Sequence, residues 1–234
     1  MPSVFITGAS RGLGLEFARQ YAAEGWRVLA TCRNPGRATK LTALSKSRDG
    51  HVIVEAMDVD DHAQIDALAA QLADEPIDVL INNAGIASAD FERQMLGGLD
   101  YGGWLNMLRT NTLGPLKVSE AFLDNVAASE QRKIVAISST VGSMVEMNHP
   151  VYPYATSKAA LNKAICLMAS QLQERRIIVA ALCPGHAKTD MGLLAEGASV
   201  EVDDSVTGMR SVIAALTLAR SGSFTRYNGE TVAW

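Results

Sequence analysis

Short apolar segments recur at fairly regular intervals along the chain, and stretches of helical periodicity separate them. Several of these segments are apolar at consecutive positions, which is typical of strands covered on both faces. After the first segment, Leu13, Phe17 and Tyr21 repeat every four residues, and Gly25 stands where such a helix would end. The pattern predicts six strands, over Val4–Thr7, Arg27–Thr31, Val52–Glu55, Asp78–Ile81, Ile134–Ile137 and Ile177–Leu182.

Strands that alternate with helices predict right-handed crossovers and an α/β fold in which a parallel sheet carries helices on both faces. No linker rich in proline or serine divides the chain, so we predict a single domain over residues 1–234. Asn34 and Pro35 are expected to open the second helix as its N-cap and first residue. The last helix is expected over Asp204–Ala219, and the tail Phe224–Trp234 should add a short strand and a turn.

Composition narrows the class of protein. Of the 234 residues, 48% are apolar and 20% are charged, with a net charge of −4. This apolar content excludes a disordered chain. The longest strongly apolar run, Ile177–Cys183, is far shorter than the roughly 20 residues that a membrane span needs. The mild acidity argues against nucleic acid as a partner, because nucleic-acid binding requires a basic face.

The cysteines indicate the compartment. Cys32, Cys166 and Cys183 are widely spaced and form no Cys-x-x-Cys pair, which favours buried free thiols and a reducing, cytoplasmic location. A strand-like run begins at Ser3, so we expect no signal peptide. Cys183 and His186 resemble half of a metal site, but no second pair completes it, and we predict no metal.

A glycine-rich loop lies between the first predicted strand and the first predicted helix. Glycines at such a turn let the backbone approach a pyrophosphate, which then faces the N-terminus of the helix. A single glycine there is often only structural, whereas three glycines that open a βαβ unit predict a dinucleotide site. The residues expected to contact the cofactor are Gly8, Ser10, Arg11, Gly12, Leu13 and Gly14.

The end of the second strand bears on the choice of cofactor. An acidic residue at this place usually holds the ribose diol of NAD, whereas the 2′-phosphate of NADP needs cations. The chain carries Arg33 there, and the glycine loop carries Arg11. Two guanidinium groups can donate paired hydrogen bonds to one phosphate. Either arginine alone would be an ordinary surface residue, but the two together, without an acid, predict NADP(H).

Further candidate residues follow the third and fourth strands. Ligands of parallel α/β sheets bind outside the carboxyl ends of the strands, so these segments should meet at one edge. The Asp58 carboxylate could accept a hydrogen bond from an adenine amino group. Small residues after the fourth strand would let the backbone come close to the cofactor. We therefore add Asp58, Val59, Asn82, Ala84 and Gly85 to the predicted cofactor site.

Tyr154 and Lys158 carry the candidate chemistry. Their spacing places the phenol and the ammonium on one face of a helix. A phenol has a pKa of about 10, and a nearby cation would bring that pKa closer to the working range. The Ser139 hydroxyl, after the fifth strand, could hydrogen-bond a carbonyl oxygen as negative charge develops on it. Tyr152 is not equivalent, because the residue four positions later is the uncharged Thr156.

In this combination the chain resembles the short-chain dehydrogenase/reductase family over nearly its whole length. The resemblance implies a single-domain Rossmann fold with a doubly wound parallel sheet of about seven strands and helices on both faces. The matching positions are Thr7, Gly8, Gly12, Gly14, the Asn82-Asn83-Ala84-Gly85 segment, Asn111, Ser139, Tyr154, Lys158, Pro184 and Gly185.

The resemblance also implies a catalytic tetrad. In such a tetrad Tyr154 exchanges the proton, and Ser139 fixes and polarises the substrate carbonyl. Lys158 binds the nicotinamide ribose and lowers the pKa of the tyrosine, while Asn111 holds a water in a proton relay to Lys158. Without the family, Asn111 would be read only as a kink within a long helix.

Within the family, the chain looks like the small sniffer-like and C-factor-like carbonyl reductases. These reductases usually carry a bulky apolar residue at the position of His186, so their substrate preference does not transfer to this chain. The family pattern implies a mobile lid over Met191–Val202, although this stretch by itself would be an ordinary loop. It also implies that Ala187 and Thr189 touch the nicotinamide amide, and it adds Pro184 and Gly185 to the cofactor site.

The function predicted from these residues is NADPH-dependent reduction of a small-molecule carbonyl. Two alternatives stay open: an NAD(P)-linked alcohol dehydrogenase on the same machinery, and a low-turnover protein that senses the dinucleotide. Apolar and neutral candidates suggest a compact apolar ketone, aldehyde or quinone, although a solvent-facing His186 is equally compatible with the sequence. The predicted substrate residues are Ser139, Val141, His149, Tyr154, His186 and Met191.

The sequence leaves the oligomeric state open. Helices expected at Trp104–Asn125 and Tyr154–Leu172 are apolar enough to pair with a second copy of the chain. A helix that covers the sheet buries much of the same apolar surface against the sheet, however. A homodimer or homotetramer is therefore only one of the oligomeric states compatible with the sequence.

Overall fold

The computed structural model describes residues 1–47, 50–146, 150–194 and 197–234. The strands within these residues are β1 (Ser3–Ile6), β2 (Arg27–Cys32), β3 (Val52–Ala56), β4 (Val79–Asn82), β5 (Lys133–Ile137), β6 (Ile178–Cys183) and β7 (Phe224–Arg226). These seven strands are parallel and form one sheet in the order β3-β2-β1-β4-β5-β6-β7. The predicted single-domain, doubly wound α/β architecture is therefore confirmed.

Helices cover both faces of the sheet. They are α1 (Gly12–Ala23), α2 (Thr39–Lys46), α3 (His62–Gln71), α4 (Tyr101–Leu108), α5 (Gly114–Ala121), α6 (Leu123–Ala127), α7 (Tyr152–Gln171) and α8 (Val202–Ala214). Successive strand residues point to opposite faces. On one face Val4 and Ile6 pack with α1, α2 and α8, and on the other Phe5 packs with α3, α5, α6 and α7. Both clusters consist of buried residues, which explains why the strands are apolar at consecutive positions.

Two predicted helix boundaries were wrong. Asn34 and Pro35 open only a 3₁₀ turn, Pro35–Arg37, because the Asn34 side chain makes no capping hydrogen bond, and α2 begins two residues after that turn. The last helix ends at Ala214 rather than Ala219. There the Lys133 ammonium, from β5, donates hydrogen bonds to the carbonyl oxygens of Ile213 (2.8 Å) and Ala214 (3.3 Å). These bonds satisfy carbonyls that a longer helix would use internally.

The sulfur chemistry largely follows the prediction. All three cysteines are free; Cys32 and Cys183 are buried, and Cys166 is half-buried. Burial raises the pKa of the Cys32 and Cys166 thiols, which makes them less reactive. No helix in the part of the chain that the structure describes is long and apolar enough to cross a membrane.

Candidate active site

A cavity of about 490 Å³ opens at the carboxyl ends of the central strands. Its walls come from the glycine loop, the segments after β4, β5 and β6, and the first turns of α7. Ligands of open α/β sheets bind at such an edge, where the strand order reverses. The predicted residues that line it are Arg11, Gly12, Leu13, Ala84, Gly85, Ser139, Val141, Tyr154, Lys158, Pro184, Gly185, His186, Ala187, Thr189 and Met191.

Other predicted residues lie outside this cavity. Gly8, Ser10 and Gly14 of the glycine loop are not among its lining residues, and neither is Asn111, which is fully buried. Arg33, Asp58 and Val59 follow β2 and β3, at the side of the sheet where the adenosine half of a dinucleotide would extend. His149 lies outside the described residues.

The glycine loop has no room for side chains where it turns. Gly8 and Gly12 have positive φ values of 68° and 55°, which favour glycine. A Cβ on Gly14 would lie 2.4 Å from the carbonyl oxygen of Gly8, so α1 can start this close to β1 only with glycine there. The loop therefore presents bare backbone at the N-terminus of α1, which suits a pyrophosphate.

Thr7 and Asn83 fasten this loop to the segment after β4. The Thr7 hydroxyl oxygen accepts hydrogen bonds from the backbone amides of Asn83 (3.0 Å) and Ala84 (2.9 Å). In return, the Asn83 side-chain amide donates to the carbonyl oxygens of Thr7 (2.9 Å) and Gly8 (3.2 Å). Both residues lie within the matching motifs, but the predicted site did not include them.

The structure does not bring the Asn82 side chain to the cavity, contrary to its predicted place in the cofactor site. Asn82 is the last residue of β4 and is buried, and its side-chain amide donates to the Ser119 hydroxyl oxygen (2.9 Å) on α5. Successive strand residues alternate in direction, so the side chains of Asn82 and Asn83 diverge. Asn82 therefore ties α5 to the sheet.

Tyr154 and Lys158 lie one helical turn apart on α7, as their spacing predicts. The Lys158 ammonium nitrogen is 5.8 Å from the centre of the Tyr154 ring and donates to the Ile137 carbonyl oxygen (2.8 Å) at the end of β5. The lysine side chain is buried, and burial lowers the pKa of Lys158 to about 8. At neutral pH this group is mostly a cation placed next to the phenol.

Burial also raises the pKa of Tyr154 to about 12, with a further upward contribution from Cys183, and a hydrogen bond with Ser139 only partly opposes the shift. This direction contradicts the expected lowering of the tyrosine pKa by Lys158. The reason is that desolvation disfavours the charged phenolate more than its surroundings stabilise it. At neutral pH the phenol is therefore protonated, the form that can donate a proton.

Asn111 lies in a π-helical turn, Arg109–Leu113, that interrupts the helical stretch between α4 and α5. Such turns often occur at functional sites. The Asn111 side chain accepts a hydrogen bond from the Ile86 amide (2.8 Å) and donates to the Ile86 carbonyl (2.9 Å) and the Ser157 hydroxyl (3.0 Å). It thus joins the segment after β4 to α7. Its predicted water relay to Lys158 stays a prediction.

The segment after β6 folds back over the cavity, where the resemblance implies a lid. The His186 ring nitrogen Nε2 is 2.7 Å from the Gly192 carbonyl oxygen. The His186 carbonyl accepts from the amides of Ser199 (3.0 Å) and Val200 (3.2 Å). A Cβ on Gly192 would lie 1.9 Å from the Ala187 carbonyl oxygen, so this turn requires glycine. His186 therefore both lines the cavity and holds the segment.

Arg11 reaches across the mouth of the cavity. Its guanidinium pairs with the Asp190 carboxylate, and both side chains are more than two-thirds exposed. The pair links the glycine loop to the segment after β6, where a Cβ on Gly12 would already lie 3.4 Å from the Thr189 methyl carbon. Arg33 is exposed at the end of β2, and Arg37 is exposed in the 3₁₀ turn that follows it. A phosphate bound by Arg11 would compete with the Asp190 carboxylate for the guanidinium.

Arg226 adds a charge that the sequence did not reveal. This residue ends β7 and lines the cavity, and its guanidinium donates to the Glu146 carboxylate, with a Glu230 carboxylate oxygen 3.7 Å from its Nε. The predicted wall of apolar and neutral residues is therefore incomplete. Among the described residues no cluster of three or more His, Cys, Asp or Glu side chains could hold a metal ion.

Comparison with known proteins gives consistent matches. A model of the short chain dehydrogenase family matches residues 2–196. The C-signal of Myxococcus xanthus is 36% identical over 169 residues, which cover 72% of this chain and 99% of that protein. The NADPH-bound carbonyl reductase from chicken fatty liver superimposes with a TM-score of 0.91 at 35% identity, over 100% of this chain and 99% of that one. The carbonyl reductase Sniffer of D. melanogaster superimposes with a TM-score of 0.90 at 30% identity, over 100% of both chains.

Proposed function

Since this chain belongs to the short-chain dehydrogenase family, we propose that it reduces a small carbonyl compound with NADPH. The observation that carries the proposal is the meeting of Tyr154, Lys158 and Ser139 in one cavity beside the glycine loop. A proton donor, a cation and a hydroxyl donor are the groups that carbonyl reduction needs around the oxygen.

The chain's own residues have distinct tasks in this reaction. A nicotinamide bound in the cavity would supply the hydride. The Ser139 hydroxyl donates a hydrogen bond to the substrate oxygen and stabilises the charge that develops on it. Tyr154, protonated at neutral pH, gives its proton to that oxygen. The Lys158 cation stabilises the phenolate that remains, since opposite charges attract strongly where water is excluded.

The residues present fit NADP(H). The glycine loop offers bare backbone at the N-terminus of α1, and the segment after β4 packs so closely that a Cβ on Gly8 would lie 2.9 Å from the Ala84 Cα. Arg33 stands exposed after β2, and Arg11 lies at the cavity mouth. These two arginines would hold the 2′-phosphate. The chicken carbonyl reductase, which is named as NADPH-bound, supports the same cofactor.

For the substrate we propose a compact ketone, aldehyde or quinone. Val141, Val151, Met191 and Leu194 make the wall around the reacting groups mostly apolar. The Arg226 guanidinium could donate a hydrogen bond to a neutral oxygen of the substrate, but its pairing with Glu146 disfavours a second negative charge there. An apolar carbonyl compound therefore fits better than a phosphorylated or carboxylated one.

An assay of NADPH oxidation over a panel of carbonyl compounds tests the function. We expect turnover with apolar ketones, aldehydes or quinones, and much weaker turnover with their carboxylated analogues. The same panel with NADH, and the reverse reaction with the matching alcohols and NADP⁺ or NAD⁺, tests the alcohol dehydrogenase alternative. Tight NADPH binding without turnover of any compound would instead favour the dinucleotide sensor.

The placement of His186 predicts an effect on substrate choice. His186→Phe removes the hydrogen bond with the Gly192 carbonyl and enlarges the apolar wall, so we expect a several-fold change in the ranking of substrates by kcat/KM. The KM for NADPH should stay within a few-fold. His51→Phe, at an exposed position before β3, is the control and should change neither. A large loss of NADPH affinity in His186→Phe would place the residue in the cofactor site instead.

A further inference from the structure

Asn162 holds the Ser139 segment from both sides. It lies one helical turn beyond Lys158 on α7, and the residue is 4% exposed. Its side-chain oxygen accepts a hydrogen bond from the Ser138 hydroxyl (2.5 Å), and its side-chain nitrogen donates to the Gly142 carbonyl oxygen (3.1 Å). One side chain thereby fixes the residue before Ser139 and the end of the turn after it.

Besides its hydrogen bond with Tyr154, the Ser139 side chain makes one contact within its own turn. Its hydroxyl oxygen accepts from the Val141 amide over a long 3.4 Å, which is a weak hydrogen bond. The following turn, Thr140–Gly142, instead rests on α7: a Cβ on Gly142 would lie 2.7 Å from the Lys158 carbonyl carbon. The position of the serine hydroxyl therefore depends on how this turn is attached to α7.

We propose that Asn162 is a positioning residue that sets the Ser139 hydroxyl relative to Tyr154 and Lys158. Tyr154, Lys158 and Asn162 all lie on α7, so their relative positions are fixed by one helix. The two hydrogen bonds of Asn162 attach this helix to Ser138 and Gly142, which flank Ser139 and the first part of its turn. Displacing a reacting group by about 1 Å can cost about 100-fold in rate, so this attachment bears directly on turnover.

This inference rests on the proposed reductase function, in which Ser139 contacts the substrate oxygen. It differs from that function in what it predicts: Asn162 touches neither substrate nor cofactor and acts only through the serine. The loss caused by changing Asn162 should therefore disappear once the serine hydroxyl is gone. A residue that merely stabilises the fold would show no such dependence.

A double-mutant cycle in the full chain is the test. We expect Asn162→Ala to lower kcat by about 10- to 100-fold, with the KM for NADPH unchanged within a few-fold. In the Ser139→Ala background the same change should lower kcat by less than about twofold. Losses that multiply in the double variant would overturn the proposal.

Asn125→Ala is the matched control. Asn125 is another buried asparagine, and its side-chain amide donates to the carbonyl oxygens of Leu72 (2.6 Å) and Glu75 (2.9 Å), outside the cavity lining. Its replacement should lower thermal stability to a similar extent and leave kcat within about twofold. An equal loss of kcat in Asn125→Ala would show that the Asn162 effect is one of general stability.

Two further measurements keep the test decisive. If Asn162→Ala does not fold, Ser138→Ala removes one of the two hydrogen bonds and should give a several-fold loss of kcat that again vanishes in the Ser139→Ala background.

Hydrogen exchange gives a readout that is independent of turnover. The Gly142 and Ser143 amides donate hydrogen bonds to the carbonyl oxygens of Ser139 and Thr140. These amides should exchange faster in Asn162→Ala than in Asn125→Ala. Unchanged exchange would overturn the proposal, whereas faster exchange without wild-type turnover would overturn only the reductase function.

Discussion

Tyr154→Phe should lower kcat for carbonyl reduction by roughly 10²- to 10⁴-fold, the usual contribution of a positioned acid. The change removes the hydroxyl and keeps the ring, so the packing at the start of α7 should persist. Burial raises the pKa of Tyr154 to about 12, and the wild-type enzyme therefore holds its proton through the neutral range. Affinity for NADPH, measured by fluorescence titration, should stay within a few-fold because the glycine loop is untouched.

Tyr152→Phe is the matched control, two residues earlier on the same helix. Tyr152 is not among the residues that line the cavity, and the residue one turn later is Thr156 rather than a lysine. We expect kcat within about twofold of the wild type. A severe loss in Tyr152→Phe together with an active Tyr154→Phe would contradict the assignment of the proton donor.

Arg33→Asp should reverse the choice of cofactor. Each charge-assisted hydrogen bond to the 2′-phosphate contributes roughly 1.5–3 kcal/mol, and about 1.4 kcal/mol is a factor of ten. Losing even one such bond should lower kcat/KM for NADPH by about 10- to 100-fold. Because the new carboxylate repels the phosphate and can accept from a ribose diol, kcat/KM for NADH should rise. Steady-state kinetics with both cofactors measures the change.

Arg11→Ala should have a smaller effect, which follows from its pairing with Asp190. The Asp190 carboxylate beside the wild-type arginine repels a phosphate and offsets part of the attraction of the guanidinium, and an exposed ion pair contributes about 0–1 kcal/mol. We expect a selective loss for NADPH of a few-fold to tenfold. Arg220→Asp, an exposed position beyond α8, is the control and should affect both cofactors equally. Equal use of NADH and NADPH by the wild type would contradict the assignment.

Much of the fold and of the site could be predicted because it depends on local pattern. Strands buried on both faces must be apolar at consecutive positions, and Val4–Ile6 shows this directly. The bare backbone of the glycine loop follows from residue type, since Gly8 and Gly12 adopt positive φ values. The four-residue step from Tyr154 to Lys158 places them on one helix face whatever else surrounds them.

Only the tertiary structure decided which groups meet across the chain. The last helix ends at Ala214, where an ammonium from β5 binds its final carbonyls, and no local signal marks that contact. Arg226 enters the cavity wall because β7 pairs with β6. Asn162 holds a segment about twenty residues earlier in the chain.

The titration of the reacting groups was likewise outside the reach of the sequence. The spacing of Tyr154 and Lys158 predicts that they lie together, and from this alone a lowered tyrosine pKa follows. The folded chain removes both side chains from water. Desolvation favours the neutral form of each group, so it raises the pKa of the phenol and lowers the pKa of the ammonium. Local spacing determines which groups are neighbours along one element, whereas burial depends on every element that packs around them.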